Sequence, residues 1–553
     1  MQNTCTKCGV EFEITTRDEE FYEKMKVPPP THCPDCRLQR RLAWRVTWTL
    51  YIRKCDISGK DILSIFPPDA PYTICHHEEW YNNKANALDF GQDFDFNRPF
   101  FEQFNEVLHR APLQSLSVDF LQNSDYVNEA GHLKNCYLIV ESDGNQDSLY
   151  SYRILGATSC VDCIFVKDSE WCYECTDCVT CNKLLYGQLC EQCRDSTFLF
   201  DCRGCQNCFG CVGLRKKQFC IFNEQLTEEE YKTREASLDL CNPEHVQTVM
   251  ARFEELKRAH PRKAITGEQN DNVSGEYINE SKECFDCYDI RQCRDCKYCH
   301  MLMEVNDCMD YYVWGMGGDR IYECLTCGYH PHSLRFCVKC WEGVHNLTYC
   351  FQCTLGTNNC FGCVAVHRGE YCILNKQYSK EEYEKLVPKI IEHMKKTGEW
   401  GEFFPASISP HAYNETSALE YFPLNKEEVI NRGLKWQDNL PTTTGKETVS
   451  WNDIPYDIDQ VTESICDEVL ACERTGKNFR ITKQELAFYK QMRLPIPRIH
   501  YYERHLDRKN LRNPRKLWKR SCDNCGTEIM TAYAPERPEI VYCETCYHKE
   551  VYG

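Results

Sequence analysis

The sequence predicts a mainly β protein: a narrow, cysteine-rich β-solenoid of about 12–13 residues per coil, duplicated, with helical caps and a helical insertion, flanked by N- and C-terminal zinc-ribbon pairs. Three observations carry this prediction. Cys136, Cys160, Cys163, Cys172, Cys175, Cys178, Cys181, Cys190, Cys193, Cys202, Cys205, Cys208, Cys211 and Cys220 are separated only by multiples of three. Short strand-like runs such as Tyr137-Leu-Ile-Val140, Leu149-Tyr-Ser-Tyr152 and Cys163-Ile-Phe-Val166 recur at a spacing of roughly one coil. Residues 1–80 and 468–547 align with one another without a gap, setting Cys5 against Cys472, Gly9 against Gly476, Phe21 against Phe488, Arg41 against Arg508, Cys55 against Cys522 and Gly59 against Gly526.

A sustained period of three belongs neither to a helix nor to a flat strand. Very short coils produce it, with every third residue turned inward. The inward register between the cysteines holds Ile139, Ser142, Ser148, Ser151, Ile154, Ala157, Val166, Ser169, Leu184 and Ser196. So thin an axis admits small side chains, and Cys is a small, readily buried one. The pattern resembles the cysteine-rich β-solenoids of insect antifreeze proteins, but their exposed Thr-x-Thr rows are missing, so ice binding is not implied.

The 553 residues allow several domains, and 42 cysteines with a net charge of −18 would fit a secreted disulfide scaffold only in a small protein. The start Met1-Gln-Asn-Thr-Cys-Thr-Lys-Cys8 has neither the basic nor the apolar region of a signal peptide. No apolar run reaches the ~18 residues of a spanning helix. A reducing cytoplasm, with thiols buried or held by zinc, is therefore expected, with no membrane association. The acidic balance argues against nucleic acid binding over the whole surface and leaves local basic patches open.

In chain order, 1–80 reads as an N-terminal double ribbon. Cys5, Cys8, Cys33 and Cys36 have the C-x2-C spacing of a tetrahedral zinc site, and so do Cys522, Cys525, Cys543 and Cys546 in the C-terminal double ribbon at 451–553. Two structural Zn2+ sites follow. Opposite them in the alignment stand Cys55, Ser58, His76 and Glu79, and Cys472, Thr475, His500 and Glu503. Cys55, His76 and Glu79, and likewise Cys472, His500 and Glu503, are either two more metal sites or decayed ribbons that kept their hairpins. Residues 81–135 read as a connector whose amphipathic helix near Arg98–Arg110, capped by Asn97, covers the open end of the solenoid. The arrays occupy 136–223 and 277–378, the second with Cys324, Cys337, Cys350 and Cys363 thirteen apart. A helical insertion at 224–276 separates them, and 379–450 is a helical cap and linker. Both arrays end alike, in Cys208-Phe-Gly-Cys211…Asn223…Thr227 and Cys360-Phe-Gly-Cys363…Asn375…Ser379. The solenoid cysteines are read as packed thiols, as ligands of a thiophilic metal between coils, or as disulfides.

The ribbon blocks, the Cys-Phe-Gly-Cys segments with their helix onsets, and Trp400-Gly-Glu-Phe-Phe404 resemble a family of uncharacterised cysteine-rich zinc-ribbon proteins of small-genome bacteria. The resemblance implies zinc and carries over no activity. No P-loop, G-x-S-x-G or H-E-x-x-H is present, so no enzyme is expected. The functional expectation is a zinc-binding, non-catalytic protein that grips structured RNA, ribosomal RNA included, through Arg37, Arg41, Arg45, Arg53, Arg504, Arg508, Arg512, Arg515, Trp518 and Arg520. The alternatives are a protein–protein scaffold or assembly adaptor, a thiol-rich metal-binding protein, and arginines that pair with the acidic solenoid.

Overall fold

The computed structural model describes residues 1–318, 320–328, 333–336, 338–340 and 343–552. Cys337, and the side chains of Cys327 and Cys340, lie outside the described residues. The chain forms two compact units, one of Met1–Leu116 with Ile265–Leu440 and the other of Ser117–Ala264 with Pro441–Gly553. Each unit thus joins a terminal block to the array farther from it in the sequence.

The protein is mainly β, and both arrays are β-solenoids built of parallel ladders. In the first array Leu184 pairs with Ser196 and Cys208 with Cys220, twelve residues apart. In the second, Cys296 pairs with Cys308 at the same spacing, whereas Leu325 pairs with Val338 and Arg335 with Thr348 at thirteen. The period of three has a backbone cause. Leu138, Glu141, Asp147, Tyr150 and Arg153 all have φ between 50° and 53°, and the series continues at every third position. Each left-handed residue turns a corner, and the residue after it, such as Ile139, Ser142 or Ser148, points into the axis.

A left-handed L-residue costs roughly 1–2 kcal/mol and is worst for β-branched side chains. Accordingly, no Val or Ile occupies this register among the described residues of the first array. Lys183 (φ 52°) is an exposed example. Lys183→Val is expected to destabilise by roughly 1–2 kcal/mol and Lys183→Gly to be neutral or slightly stabilising, read as shifts of the urea midpoint. Equal effects of the two would contradict the corner geometry.

Inside the axis, Ser and Cys do the same work. The Ser142 hydroxyl donates to the Val140 carbonyl at 2.8 Å and accepts the Ile154 amide at 3.0 Å from the next coil. The Cys163 thiol donates to the Val161 carbonyl at 3.4 Å, also two residues back. Hence the two residue types interchange along the register. Burial pushes the Cys163, Cys190 and Cys202 thiols well above their ordinary value. Among the described residues the cysteines are free rather than disulfide-bonded.

The arrays begin earlier than their cysteines. Val118 pairs with Ala130 and Leu121 with Leu133, so the expected connector at 81–135 gives way to coil from Val118. In the second array Asp271–Asn279 already pairs with Lys282–Arg291, and the Ile278 amide reaches the Thr266 carbonyl at 3.0 Å. Val, Leu and Ala take the inward register in the first of these coils, which a cysteine pattern does not reveal.

Both arrays close with an antiparallel hairpin, Gln218–Ile221 on Glu224–Gln225 and Cys372–Ile373 on Lys376–Gln377. Helices Glu228–Glu235 and Lys380–Thr397 follow, with capping boxes at Thr227 and Ser379. The shared Cys-Phe-Gly-Cys needs its glycine: Gly210 and Gly362 have φ +66°, and a Cβ there would lie 2.5 Å from the Phe222 ring and 2.8 Å from the Phe100 ring.

The connector helix is Phe100–Arg110, and the expected Asn97 cap is replaced by Glu399, whose carboxylate accepts the Phe100 and Phe101 amides at 2.9 and 2.8 Å. Phe100 packs on Tyr349 and Phe361, and the Gln92 amide bonds the Leu374 carbonyl at 3.1 Å. The segment therefore covers the last coil of the second array. Among the described residues no helix is long and apolar enough to cross a membrane.

Candidate metal centres

Two groups of four thiols can each hold a metal ion. Cys5, Cys8, Cys33 and Cys36 bring their sulfurs within 4.8 Å of one another, and so do Cys522, Cys525, Cys543 and Cys546. In the first, a hairpin of Gln2–Thr4 and Glu11–Glu13 presents Cys5 and Cys8, and helix Pro34–Leu42 starts with Cys33 as its N-cap and carries Cys36 in its first turn. The Cys8 and Cys33 sulfurs are 3.7 Å apart, and those of Cys525 and Cys543 3.8 Å.

Backbone amides prepare these sulfurs for charge. Burial opposes ionisation of Cys5, but the Cys33, Cys8 and Lys7 amides outweigh it and bring the thiol to about 6. Bonds from the Thr527 hydroxyl and amide bring Cys525 to about 6 as well. Burial raises Cys33 to about 11, and the Cys543 thiol together with burial raises Cys546 to about 12. In each cluster a thiol poised to ionise thus stands beside one that burial and its neighbours hold protonated, and a bound cation would favour the thiolate of both.

The degenerate ribbons diverge. Cys55 and Glu79 come together, with the Cys55 sulfur 3.4 Å from Glu79 Oε2, but the third member of the group is Cys75 and not His76. His76 contributes its backbone amide, which donates to the Cys55 sulfur at 3.4 Å. Cys472, His500 and Glu503 form no such group among the described residues; Lys477 takes the Glu503 carboxylate at 2.8 Å, and the Tyr502 amide donates to His500 Nδ1 at 3.2 Å. Burial holds His500 at about 3, hence neutral. A further trio, Cys296, Cys299 and Cys308, lies inside the second array.

Most of the residues expected to face RNA are turned inward. Arg37, Arg41, Arg45, Arg504 and Arg508 are buried, and the expectation that they meet phosphates is corrected by their partners. In one unit Arg37 and Arg41 bond Asp310 at 2.9 and 3.0 Å, Arg40 bonds Glu323 at 2.8 Å, and Arg45 bonds Thr326. In the other, Arg504 and Arg508 bond Asp162 at 3.2 and 2.9 Å, Arg508 also meets Glu174 at 3.0 Å, and Arg512 meets Asp177 at 2.9 Å. The partners stand at left-handed corners, with φ 55°, 53° and 54° for Asp162, Glu174 and Asp177, and 60°, 54° and 55° for Asp310, Glu323 and Thr326. Both terminal blocks therefore dock through one geometry, a helix face of arginines on a column of coil corners. Burial opposes the Arg37 and Arg504 charges, but Asp310 and Asp162 outweigh it and hold both guanidiniums protonated.

Of the remaining predicted residues, Arg53 bonds the Pro67 carbonyl at 3.0 Å and Asp56 at 3.0 Å. Arg520 bonds Asp523 at 3.2 Å, and Arg515 and Trp518 are half-buried. Trp44, Trp48 and Tyr51 are core residues.

Glu485 lies in the Asp162 interface, accepting from the Tyr150 and Tyr489 hydroxyls at 2.8 and 2.9 Å. Burial raises its pKa to about 7, above its unfolded value. The folded state thus binds a proton that the unfolded state releases near 4.5, and stability falls as pH rises from about 4.5 to about 7. Glu485→Gln is expected to remove up to roughly 3 kcal/mol of that slope and to raise the melting temperature at pH 8. An unchanged profile between pH 5 and 8 would count against it.

Sequence reasoning missed Cys75 and the six corner residues. A signal existed for the corners, since Asp162, Glu174 and Asp177 share one register of three. Comparison with family models, curated proteins and solved structures finds no match.

Proposed function

We propose that the chain is a non-catalytic zinc protein in which the terminal four-thiol clusters bind structural Zn2+ and clamp an arginine-bearing block onto each solenoid array. One observation carries this reading. Zinc–sulfur bonds of about 2.3 Å in a tetrahedron put the sulfurs about 3.8 Å apart; one edge in each cluster, Cys8–Cys33 and Cys525–Cys543, measures 3.7 and 3.8 Å, and all four sulfurs of each lie within 4.8 Å of one another. Four sulfurs with no open position make a structural rather than a catalytic site. The metal's task follows from its place. It fixes the first turn of Pro34–Leu42, the helix that carries Arg37, Arg40 and Arg41 into Asp310 and Glu323.

Of the partner readings, a protein scaffold is favoured over RNA. Arg37, Arg41, Arg504, Arg508 and Arg512 are already held by carboxylates, and a chain of net charge −18 opposes a polyanion.

Elemental analysis of the intact chain, purified without chelator, tests the zinc reading. Zinc should be bound, with Cys8→Ser and Cys525→Ser each removing one equivalent. A zinc-free chain, or a content indifferent to both substitutions, would end it. Salt-dependent binding of total RNA by the intact chain would reverse the partner preference.

A further inference from the structure

We infer that Cys55, Cys75 and Glu79 form a third divalent-metal site, of the zinc class, with an exchangeable fourth position. This rests on the zinc reading of the terminal clusters and goes beyond it, because the site is of a different chemical kind.

The three residues are buried, at 1%, 0% and 7% exposure, and their ligand atoms lie within 4.8 Å of one another. A thiolate and a carboxylate oxygen on one tetrahedral zinc stand about 3.5 Å apart, given bonds of about 2.3 and about 2.0–2.2 Å. Cys55 Sγ and Glu79 Oε2 are 3.4 Å apart. The other carboxylate oxygen, Oε1, accepts from Lys84 Nζ at 3.0 Å. Lys84 therefore anchors the carboxylate in a one-oxygen pose from outside, as outer partners of metal ligands do.

The Cys55 sulfur already sits in a ribbon's amide nest. It accepts the Ser58 amide at 3.5 Å and the His76 amide at 3.4 Å, as Cys522 accepts the Cys543 amide at 3.2 Å. What differs from the terminal clusters is the ligand set. Ser58 stands where Cys525 stands in the C-terminal copy, and Cys75, one residue before His76, supplies the second sulfur. Two sulfurs and one carboxylate oxygen supply three of the four ligands of a tetrahedral zinc, which describes an open site.

The other groups do not fit as well. Glu503 is held by Lys477 and does not join Cys472 and His500. Cys308 lies 3.4 Å from both Cys299 and Cys296, shorter than the edge of about 3.8 Å that a shared metal sets.

Zinc content of the intact chain, combined with Co(II) titration of the metal-free chain, tests the inference. Three zinc per chain are expected. Cys75→Ser and, should that variant fold poorly, Glu79→Gln should each retain two. The third Co(II) equivalent should give a weaker sulfur-to-metal band than the first two, absent from both variants and altered by added azide. Two zinc in the parent and in both variants would overturn the third site and leave the terminal sites standing. Loss of zinc from Cys8→Ser or Cys525→Ser alone reports on the terminal sites, so the two readings fail separately.

Discussion

Cys36→Ser is expected to lose its N-terminal zinc and, with it, the attachment of the whole first block to the second array. Cys36 lies in the first turn of Pro34–Leu42, and Cys33 is the N-cap of the same helix. Structural zinc contributes about 10–16 kcal/mol of apparent binding free energy in small zinc-finger peptides. That is more than a block of this size gains from its own core, so loss of the metal releases the helix ends. Asp310 and Glu323, both fully buried at coil corners while the block is docked, would then lose Arg37, Arg40 and Arg41 to solvent. The ion pairs exist only in the docked state, so the effect of the metal is passed on to the docking surface. Hydrogen exchange over residues 16–54 should rise toward unprotected rates, while the C-terminal cluster keeps its zinc. Full protection in a protein lacking the N-terminal zinc would show that the ion pairs alone hold the helix.

The coil length and the inward register were legible because steric demand at a narrow axis leaves a sharp mark: Ile139, Ser142 and Ser148, after Leu138, Glu141 and Asp147, belong to a register otherwise rich in Cys, Ser and other compact side chains. The corner conformation left a weaker mark. At a cost of roughly 1–2 kcal/mol it keeps Val and Ile out of the described corners of the first array but admits Tyr150, Trp171, Phe165 and Asp168 alike. Chemistry at the corners is therefore free to vary, and it is there that the interface lies. The fate of the arginines was illegible for a related reason. Asp310 is 273 residues from Arg37 and Asp162 is 346 from Arg508, and each acid is a single residue in its coil. A basic cluster is visible in sequence, whereas its scattered counter-charges become a column only when the coils stack. At the metal centres, spacing found the eight terminal cysteines because C-x2-C is a local geometry. Cys75 escaped because alignment of the copies pointed to His76, and the direction of a side chain at a strand end is not aligned by position.

Asp162→Asn carries the second large effect. The carboxylate is fully buried and receives Arg504 and Arg508, themselves 6% and 1% exposed. Asn suits a left-handed corner and keeps the shape of Asp, so the substitution removes charge while sparing the φ of 55°. The two buried guanidiniums then keep Glu174, 3.0 Å from Arg508, and Glu485, 3.8 Å from Arg504. The expected loss is about 3–5 kcal/mol, the usual cost of breaking a buried pair from one side. Chemical denaturation at pH 7 reads it as a lowered midpoint, with the C-terminal zinc retained. Combining Asp162→Asn with Arg504→Met and Arg508→Met should recover most of the loss, because apolar replacement of a whole buried ion pair is often neutral or better. Recovery in the triple variant would assign the corner acids to partner selection, matching each helix to its own column, more than to net stability. A cost under about 1 kcal/mol for Asp162→Asn alone would mean that Tyr489, Leu486 and the apolar surface of Tyr150 and Tyr173 hold the block by themselves.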